Sequence, residues 1–60
     1  YRMTIRELVS DVGGRRVLGQ ILKVPAGTIS GWVDRNRVPE RWCIVIKEKM
    51  GVVIENVREQ

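Results

Sequence analysis

The sequence contains no histidine and a single cysteine, Cys43. An internal disulfide needs two cysteines, and the structural zinc sites of small domains are built from cysteine and histidine, so neither can stabilise this core. A nucleophilic thiol also needs a base such as histidine, and the Asp and Glu residues show no pairing typical of acid–base or metal chemistry. We therefore expect no enzyme, no metal, no cofactor and no small-molecule substrate, and we expect Cys43 to be a small buried residue.

Long apolar runs are also absent. The longest, Trp42 to Ile46 and Met50 to Ile54, are far too short to cross a membrane. No signal-peptide pattern opens the chain, and an unpaired cysteine suits a reducing compartment. These features predict a protein of a reducing compartment, the cytoplasm, with no membrane partner.

The chain does contain an excess of positive charge. Its 60 residues are enough for one domain with one small core, predicted to be built from packed helices over residues 1–60. Lys and Arg outnumber Asp and Glu by 11 to 7, and the whole net charge of +4 falls within residues 12–41. A localised basic surface is typical of nucleic-acid-binding proteins. On charge alone, a solvated surface that keeps a small protein in solution is an equal alternative.

Capping signals and apolar spacing predict the first two helices. Thr4 and Glu7 form a capping-box pattern at the start of a helix over residues 4–12, and the glycine pair after it ends that helix. A second helix is predicted over residues 15–22. The side chains of the second helix that are predicted to face inward are Val17, Leu18, Ile21 and Leu22.

Two prolines begin the third and fourth helices. Pro25 and Pro39 each stand at a first helical turn, where a missing amide donor costs nothing. The fourth helix should end at Gly51. The tail has two interpretations: the β-branched run Val52 to Ile54 favours a strand, whereas residues 55–59 can add a helical turn.

Residues 15–34 combine the features that a helix-turn-helix needs. Two short helices that cross through a tight turn approach closely, so one position needs almost no side chain, and Gly19 supplies it. The third helix then ends near Arg35-Asn36. The side chains predicted to close a small core between the two helices are Leu18, Leu22, Val24, Ile29 and Trp32.

The stretch from Leu18 to Trp32, LGQILKVPAGTISGW, resembles the helix-turn-helix of phage Cro and CI-type repressors. The segment from Val38 to Ile46 resembles the "vPaeR…I" continuation of the Cro-like YdaS group, and Gly51 to Ile54 is similar to the short "Gvv" ending of that group. The resemblance covers roughly residues 5–58. It implies an all-α fold, a compact lambda-repressor-like helix-turn-helix domain of four to five helices.

Two residues depart from the pattern of these repressors. Lys23 occupies a turn position where they usually have glycine, and left-handed backbone angles there are strained for lysine. Gly19 replaces a commoner alanine, which fits sterically but weakens a helix interior by roughly 1 kcal/mol.

The resemblance also implies that the third helix is the recognition helix, which lies in the major groove of DNA. This surface lacks the usual bidentate readers, Arg for guanine and Asn or Gln for adenine. Either base specificity is modest and assisted by DNA shape, or Arg35, Arg37 or another segment supplies it. Trp32 and Trp42 are predicted core anchors and not platforms for stacked bases. The residues expected to contact bases are Pro25, Ala26, Gly27, Thr28, Ser30 and Gly31.

Contacts with DNA phosphates are implied on both sides of the recognition helix. Arg15 and Arg16 begin the second helix, whose positive end points at a phosphate in these repressors. Arg41 is a weaker candidate. For each cation the alternative is an ordinary surface residue. The residues expected to contact phosphates are Arg15, Arg16, Gln20, Lys23, Arg35 and Arg37.

These patterns lead to a first functional hypothesis. The chain is expected to be a sequence-specific DNA-binding transcriptional regulator, a Cro-like phage or prophage repressor that occludes a promoter at its double-stranded DNA operator. Because one helix-turn-helix makes few contacts, a homodimer on DNA is the expected working form. The surplus apolar residues expected at the dimer contact, unless they close the monomer core, are Ile44, Val52, Val53 and Ile54.

Two alternatives stay open. The bare recognition helix favours a protein-interaction module, antitoxin-like or repressor-neutralising, that keeps the helix-turn-helix fold. Because the chain begins at Tyr1 and not at methionine, a fragment of a longer repressor is the other alternative, and it predicts a monomer with weak operator affinity.

Overall fold

The first helix, α1 (Ile5–Val12), begins with the predicted capping box. In the computed structural model, which describes residues 2–56 of the chain, the amide of Glu7 donates to Thr4 Oγ1 at 3.3 Å, and the amide of Thr4 donates to Glu7 Oε1 at 2.9 Å. Two amides that the helix itself cannot satisfy are thereby paired. Gly13 ends α1 with φ at 104°, a left-handed conformation that glycine adopts without steric cost.

Three further helices follow, α2 (Arg15–Leu22), α3 (Ala26–Arg35) and α4 (Glu40–Met50). Pro25 and Pro39 stand immediately before α3 and α4 as their N-caps, as their fixed backbone angles predict. The four helices, with α2 and α3 joined by a tight turn, confirm the predicted all-α helix-turn-helix fold.

The two ends of the described chain pair as short parallel strands, β1 (Arg2–Met3) and β2 (Val53–Ile54). Met3 lies opposite Ile54, and the amide of Glu55 donates to the Met3 carbonyl at 2.9 Å. The strand interpretation of the β-branched tail is therefore correct. Glu55 and Asn56 are not helical, and the rest of the alternative helical turn, 57–59, lies outside the described residues.

A single cluster of buried apolar side chains joins the helices and the strand pair. Ile29 of the third helix and Ile46 of the fourth are fully buried within it. Trp32 and Trp42 pack as predicted core anchors, with ring centroids 5.8 Å apart and planes tilted by 47°. The buried members are Met3, Ile5, Leu8, Leu18, Leu22, Ile29, Trp32, Val38, Ile46, Val52 and Ile54.

The prediction that Val17 and Ile21 face inward is wrong, because each keeps 38% of its surface exposed. The α2 helix has only eight residues, and Leu18, Gly19 and Leu22 already occupy its buried side. Val17 and Ile21 stand one turn apart on the outer side of α2.

The residues expected at a dimer contact have different environments. Val52 and Ile54 belong to the monomer core, each 8% exposed, because the strand pair folds the tail against the helices. Val53 is half-buried, whereas Ile44 on α4 is 55% exposed. Of the four, Ile44 is the residue that offers a free apolar side chain.

Candidate nucleic-acid interface

The helix-turn-helix depends on a contact between two backbones at Gly19. A Cβ atom placed on Gly19 would lie 2.7 Å from the carbonyl oxygen of Val24 and 3.6 Å from the amide nitrogen of Ala26. The glycine carbonyl also accepts hydrogen bonds from the amides of Lys23 and Val24, the latter at 2.9 Å. Glycine is therefore required here, and the alanine common in the repressors that the sequence resembles does not fit this turn unless the backbone moves.

Lys23 adopts the left-handed conformation although it is strained for lysine, with φ at 60° and ψ at 44°. Its side chain is exposed, and its backbone ends α2 and redirects the chain into α3. The turn therefore keeps its left-handed geometry without the glycine that favours it, at a cost of about 1–2 kcal/mol for a residue with a Cβ.

The N-terminal half of α3 presents a bare surface to solvent. Pro25 and the three residues after it are exposed, while Ser30 and Gly31 are half-buried. A Cβ placed on Gly27 would meet nothing within 4 Å. The opposite side of α3 is held in the core by Ile29 and Trp32, so the helix is fixed with its small residues outward.

The C-terminal half of α3 carries two arginine contacts. The Nε atom of Arg35 donates to the carbonyl of Gly31 at 3.3 Å, which folds the side chain back along the helix. From α1, the Nε atom of Arg6 donates to the carbonyl of Val33 at 3.0 Å, across 27 positions of sequence. This second contact orients α3 on α1, and no pattern around Arg6 predicts it.

The cations of the central segment are free of carboxylate partners within the described part of the chain. The ion pair found in residues 2–56 joins Arg2 to Glu55 at 3.7 Å, at the strand pair. The side chains that were expected on phosphates are exposed, including Arg41. The six positive charges of this set and the neutral amide of Gln20 are therefore available to an anionic partner. These residues are Arg15, Arg16, Gln20, Lys23, Arg35, Arg37 and Arg41.

The start of α2 suits a phosphate. Its N-cap is Gly14, and no side chain caps the amides of its first turn. Uncapped amides and the helix dipole favour an anion at this end, and Arg15 and Arg16 add two exposed positive charges.

A second group of residues holds the segment after α3, and sequence reasoning missed it. Asn56 accepts a hydrogen bond from the amide of Val38 at 2.8 Å and donates to the Val38 carbonyl at 3.0 Å. The same carbonyl accepts a hydrogen bond from the Cys43 thiol at 3.5 Å. Nothing in the sequence around a single Asn in a short tail indicates that its hydrogen-bond partner is the backbone of Val38.

Cys43 is half-buried and takes part in this network. Burial raises the pKa of its thiol, and nearby Glu40 raises it further, while the hydrogen bond from Asn56 acts in the opposite direction. The thiol therefore stays protonated at neutral pH, which suits a structural role and not a nucleophile.

Residues 2–56 contain neither a membrane-spanning helix nor a metal-binding cluster. Between residues 2 and 56, no helix combines the length and the apolar character needed to cross a membrane. Over the same residues, no three His, Cys, Asp or Glu side chains gather in a way that would hold a metal ion.

Two short helices joined by a tight turn, with an outward second helix flanked by unpaired cations, define a helix-turn-helix DNA-binding domain. The model of the bacteriophage CI repressor helix-turn-helix domain family matches residues 5–58, and the chain belongs to that family. This confirms the resemblance to phage Cro and CI-type repressors. Comparisons with curated proteins and with solved structures return no match. The chain is a DNA-binding regulator of repressor type.

Proposed function

We propose that this chain is a sequence-specific repressor of phage or prophage type, which binds operator DNA in the bacterial cytoplasm and occludes a promoter. The observation that supports this best is the outward N-terminal half of α3, whose small exposed residues are flanked by unpaired cations. In this proposal, residues 25–31 enter the major groove.

Small side chains suit a close approach to the bases. The major groove is about 12 Å wide, close to the diameter of a helix with its side chains. With no side chain at Gly27, the backbone of α3 can lie deeper in the groove. The hydroxyl of Thr28 and the methyl groups of Ala26 and Thr28 are then the groups available to base edges, the methyl groups for contact with a thymine methyl.

Phosphate contacts hold the helix in this position. The uncapped amides at the start of α2, with Arg15 and Arg16, are assigned to one phosphate, and Arg37, which follows α3 in the chain, is assigned to another. Such contacts supply affinity and orientation but no sequence information. The few possible base contacts of one domain make a two-fold dimer the expected form on DNA, with half-sites about 34 Å apart. Ile44 is the exposed apolar residue on α4 that we assign to the dimer contact.

The phosphate assignment is tested with the double variant Arg15→Ala, Arg16→Ala. Each phosphate contact contributes about −0.9 to the slope of log affinity against log salt concentration. We expect the slope for a random duplex to become shallower by about 1.8 when both contacts are lost. Lys47→Ala, Lys49→Ala removes the same charge from the far end of α4 and should leave the slope nearly unchanged, so it is the matched control.

One result would contradict DNA binding itself. If the native chain bound no duplex at about 50 mM salt, where phosphate contacts are strong, and the double variant behaved identically, the DNA proposal would fail. The alternative function, a protein-interaction module, would then be favoured. The bare surface of α3 and the exposed pair Val17 and Ile21 on α2 are the features that support this alternative.

Selection of bound sequences from a random duplex pool tests specificity and dimerisation together. A two-fold dimer should select a palindrome with half-sites about one helical turn apart. Selection of one isolated half-site, with a monomer by sedimentation at micromolar concentration, would instead support the fragment of a longer repressor.

A further inference from the structure

The side chain of Arg35 lies over the part of α3 that lacks side chains. Its Nε atom donates to the Gly31 carbonyl at 3.3 Å, and one terminal nitrogen lies 3.4 Å from where a Gly31 Cβ would stand. Side chains on a helix lean toward its N-terminus, so the guanidinium extends toward the end of α3 that is assigned to the groove. Arg35 thus places a charged head beside a surface with no bidentate reader of its own.

The surface beside this head is open at Gly31. A Cβ on Gly31 would lie 3.4 Å from the terminal nitrogen of Arg35, an ordinary van der Waals contact with the end of a flexible side chain. The backbone of Gly31 is not in a left-handed conformation, so the turn geometry does not require glycine there. Glycine at this position therefore leaves the guanidinium room to move but is not a strict requirement for its placement.

The hydrogen bond to Gly31 leaves the terminal nitrogens of the Arg35 guanidinium free. Arginine has five N–H donors, and the Nε donor is the one used here. The two terminal nitrogens stay available as a planar pair, which is the arrangement that binds the O6 and N7 atoms of guanine. No carboxylate among residues 2–56 pairs with Arg35. Because one end of the group is already anchored, less side-chain freedom is lost on binding.

We propose that Arg35 is the principal base-reading side chain of α3, and that the open surface at Gly31 leaves its guanidinium room to reach the bases. The expected ligand group is a guanine edge in the major groove of the operator. This inference rests on the proposed DNA-binding function and, of the two roles that the sequence left open for Arg35, selects base reading over a phosphate contact. Arg37, which follows the C-cap of α3, keeps the phosphate role.

The test compares four proteins: the native chain, Arg35→Ala, Arg37→Ala and Gly31→Ala. Each is used to select sequences from a random duplex pool, and its affinity is measured over a range of salt for the native consensus and for a random duplex. Circular dichroism confirms folding, which is expected because Arg35 and Arg37 are exposed and Gly31 has an ordinary helical φ.

We expect Arg35→Ala to lose preference for guanine at one position of the half-site. Its affinity for the native consensus should fall roughly tenfold to hundredfold, the value of one bidentate contact, with a smaller loss on random duplex. Gly31→Ala adds only an ordinary contact with the flexible end of Arg35, so it should change the preference at this position less than Arg35→Ala does. Arg37→Ala should keep the consensus, lose affinity on both duplexes equally, and make the salt slope shallower by about 0.9.

Two kinds of failure are distinguishable. If the native chain selects a consensus that Arg35→Ala retains, with equal loss on both duplexes and a shallower salt slope, Arg35 is a phosphate contact and the inference is overturned while the proposed function stands. If the native chain binds duplex without any consensus, the inference is overturned together with the sequence specificity of the proposed repressor, and only non-specific DNA binding stands. If the native chain binds no duplex, the proposed function fails and this inference fails with it.

Discussion

The two ends of helix α3 are held by different means. Before its N-terminal end, Gly19 and Val24 bring two backbones together within six residues of sequence, so closely that a Cβ placed on Gly19 would lie 2.7 Å from the Val24 carbonyl oxygen. Beyond its C-terminal end, Val38, which lies three residues after Arg35, is held by the side chain of Asn56, 18 positions away. The first end depends on steric fit between neighbours, and the second depends on hydrogen bonds from residues that are distant in sequence.

This difference separates two kinds of information in a small domain. A steric requirement within one turn is recognisable in the sequence as a small residue at a fixed position of the helix pattern. A hydrogen bond between distant segments is not recognisable, because the sequence does not distinguish the polar residue that forms it from any other exposed polar residue of the tail. The N-terminal end of α3 was therefore predictable, while the means of holding its C-terminal end was not.

The largest effect on stability is expected from Gly19→Ala. The added methyl group must displace the Val24 carbonyl, a backbone atom, and overpacking of this kind costs about 1–3 kcal/mol. The better helix propensity of alanine offsets up to about 1 kcal/mol of this. Thermal unfolding should show a melting temperature several degrees lower, since 1 kcal/mol corresponds to about 4–8 °C in a domain of this size.

Gly27→Ala is the matched control for that substitution. The same methyl group is added to a helix, but nothing lies within 4 Å of it. The melting temperature should stay the same or rise slightly, because alanine is the better helix former. Equal melting temperatures for Gly19→Ala and the native chain would show that the close contact at the turn is not a requirement.

A smaller loss is expected from Asn56→Ala. It removes the partner of the Val38 amide, and Val38 is only 1% exposed. An unpaired buried amide costs about 1–3 kcal/mol, reduced here because Asn56 is at the surface and water can replace part of its role. Chemical denaturation should report a lower free energy of unfolding, and hydrogen exchange at the Val38 amide should become faster.

Glu55→Ala is the control for Asn56→Ala, because it changes the neighbouring tail residue and leaves the hydrogen bonds between Asn56 and Val38 in place. Its carboxylate pairs with Arg2 at 3.7 Å, but both side chains are well exposed, so the pair should contribute little. An Asn56→Ala variant that is as stable as Glu55→Ala, with unchanged exchange at Val38, would contradict the assigned role of Asn56. Of these two contacts, at Gly19 and at Asn56, only the steric contact at Gly19 would then stand as a means of holding α3.

Much of the fold follows from local patterns. The capping box at Thr4, the helix starts at Pro25 and Pro39 and the tight turn at Lys23-Val24 are all confirmed. Each depends on residues within one or two turns of each other, where the physical causes are capping, proline geometry and steric contact. The errors have a different origin. Val17 and Ile21 fit a helical stripe, but which side of α2 is buried depends on where α1 and α3 lie.

The candidate site divides in the same way. The position of the helix that is proposed to enter the major groove, and the charge around it, could be predicted from residue order, because a helix-turn-helix is a local motif with a basic flank. Arg35 and Gly31 have the i, i+4 spacing of residues one turn apart on a helix. The spacing alone does not show that the Nε donor of Arg35 is used and that its terminal nitrogens stay free.

Residue order was thus sufficient to predict four helices, a turn and a basic central segment, since each is governed by backbone angles, by contacts between near neighbours or by composition. Three-dimensional packing decided the rest: the parallel pairing of the strands near the chain ends, the burial of Val52 and Ile54, and the bonds from Asn56 and Arg6 that fix α3. These depend on which distant groups meet once the core has closed. A buried polar backbone must then find a partner wherever the fold supplies one.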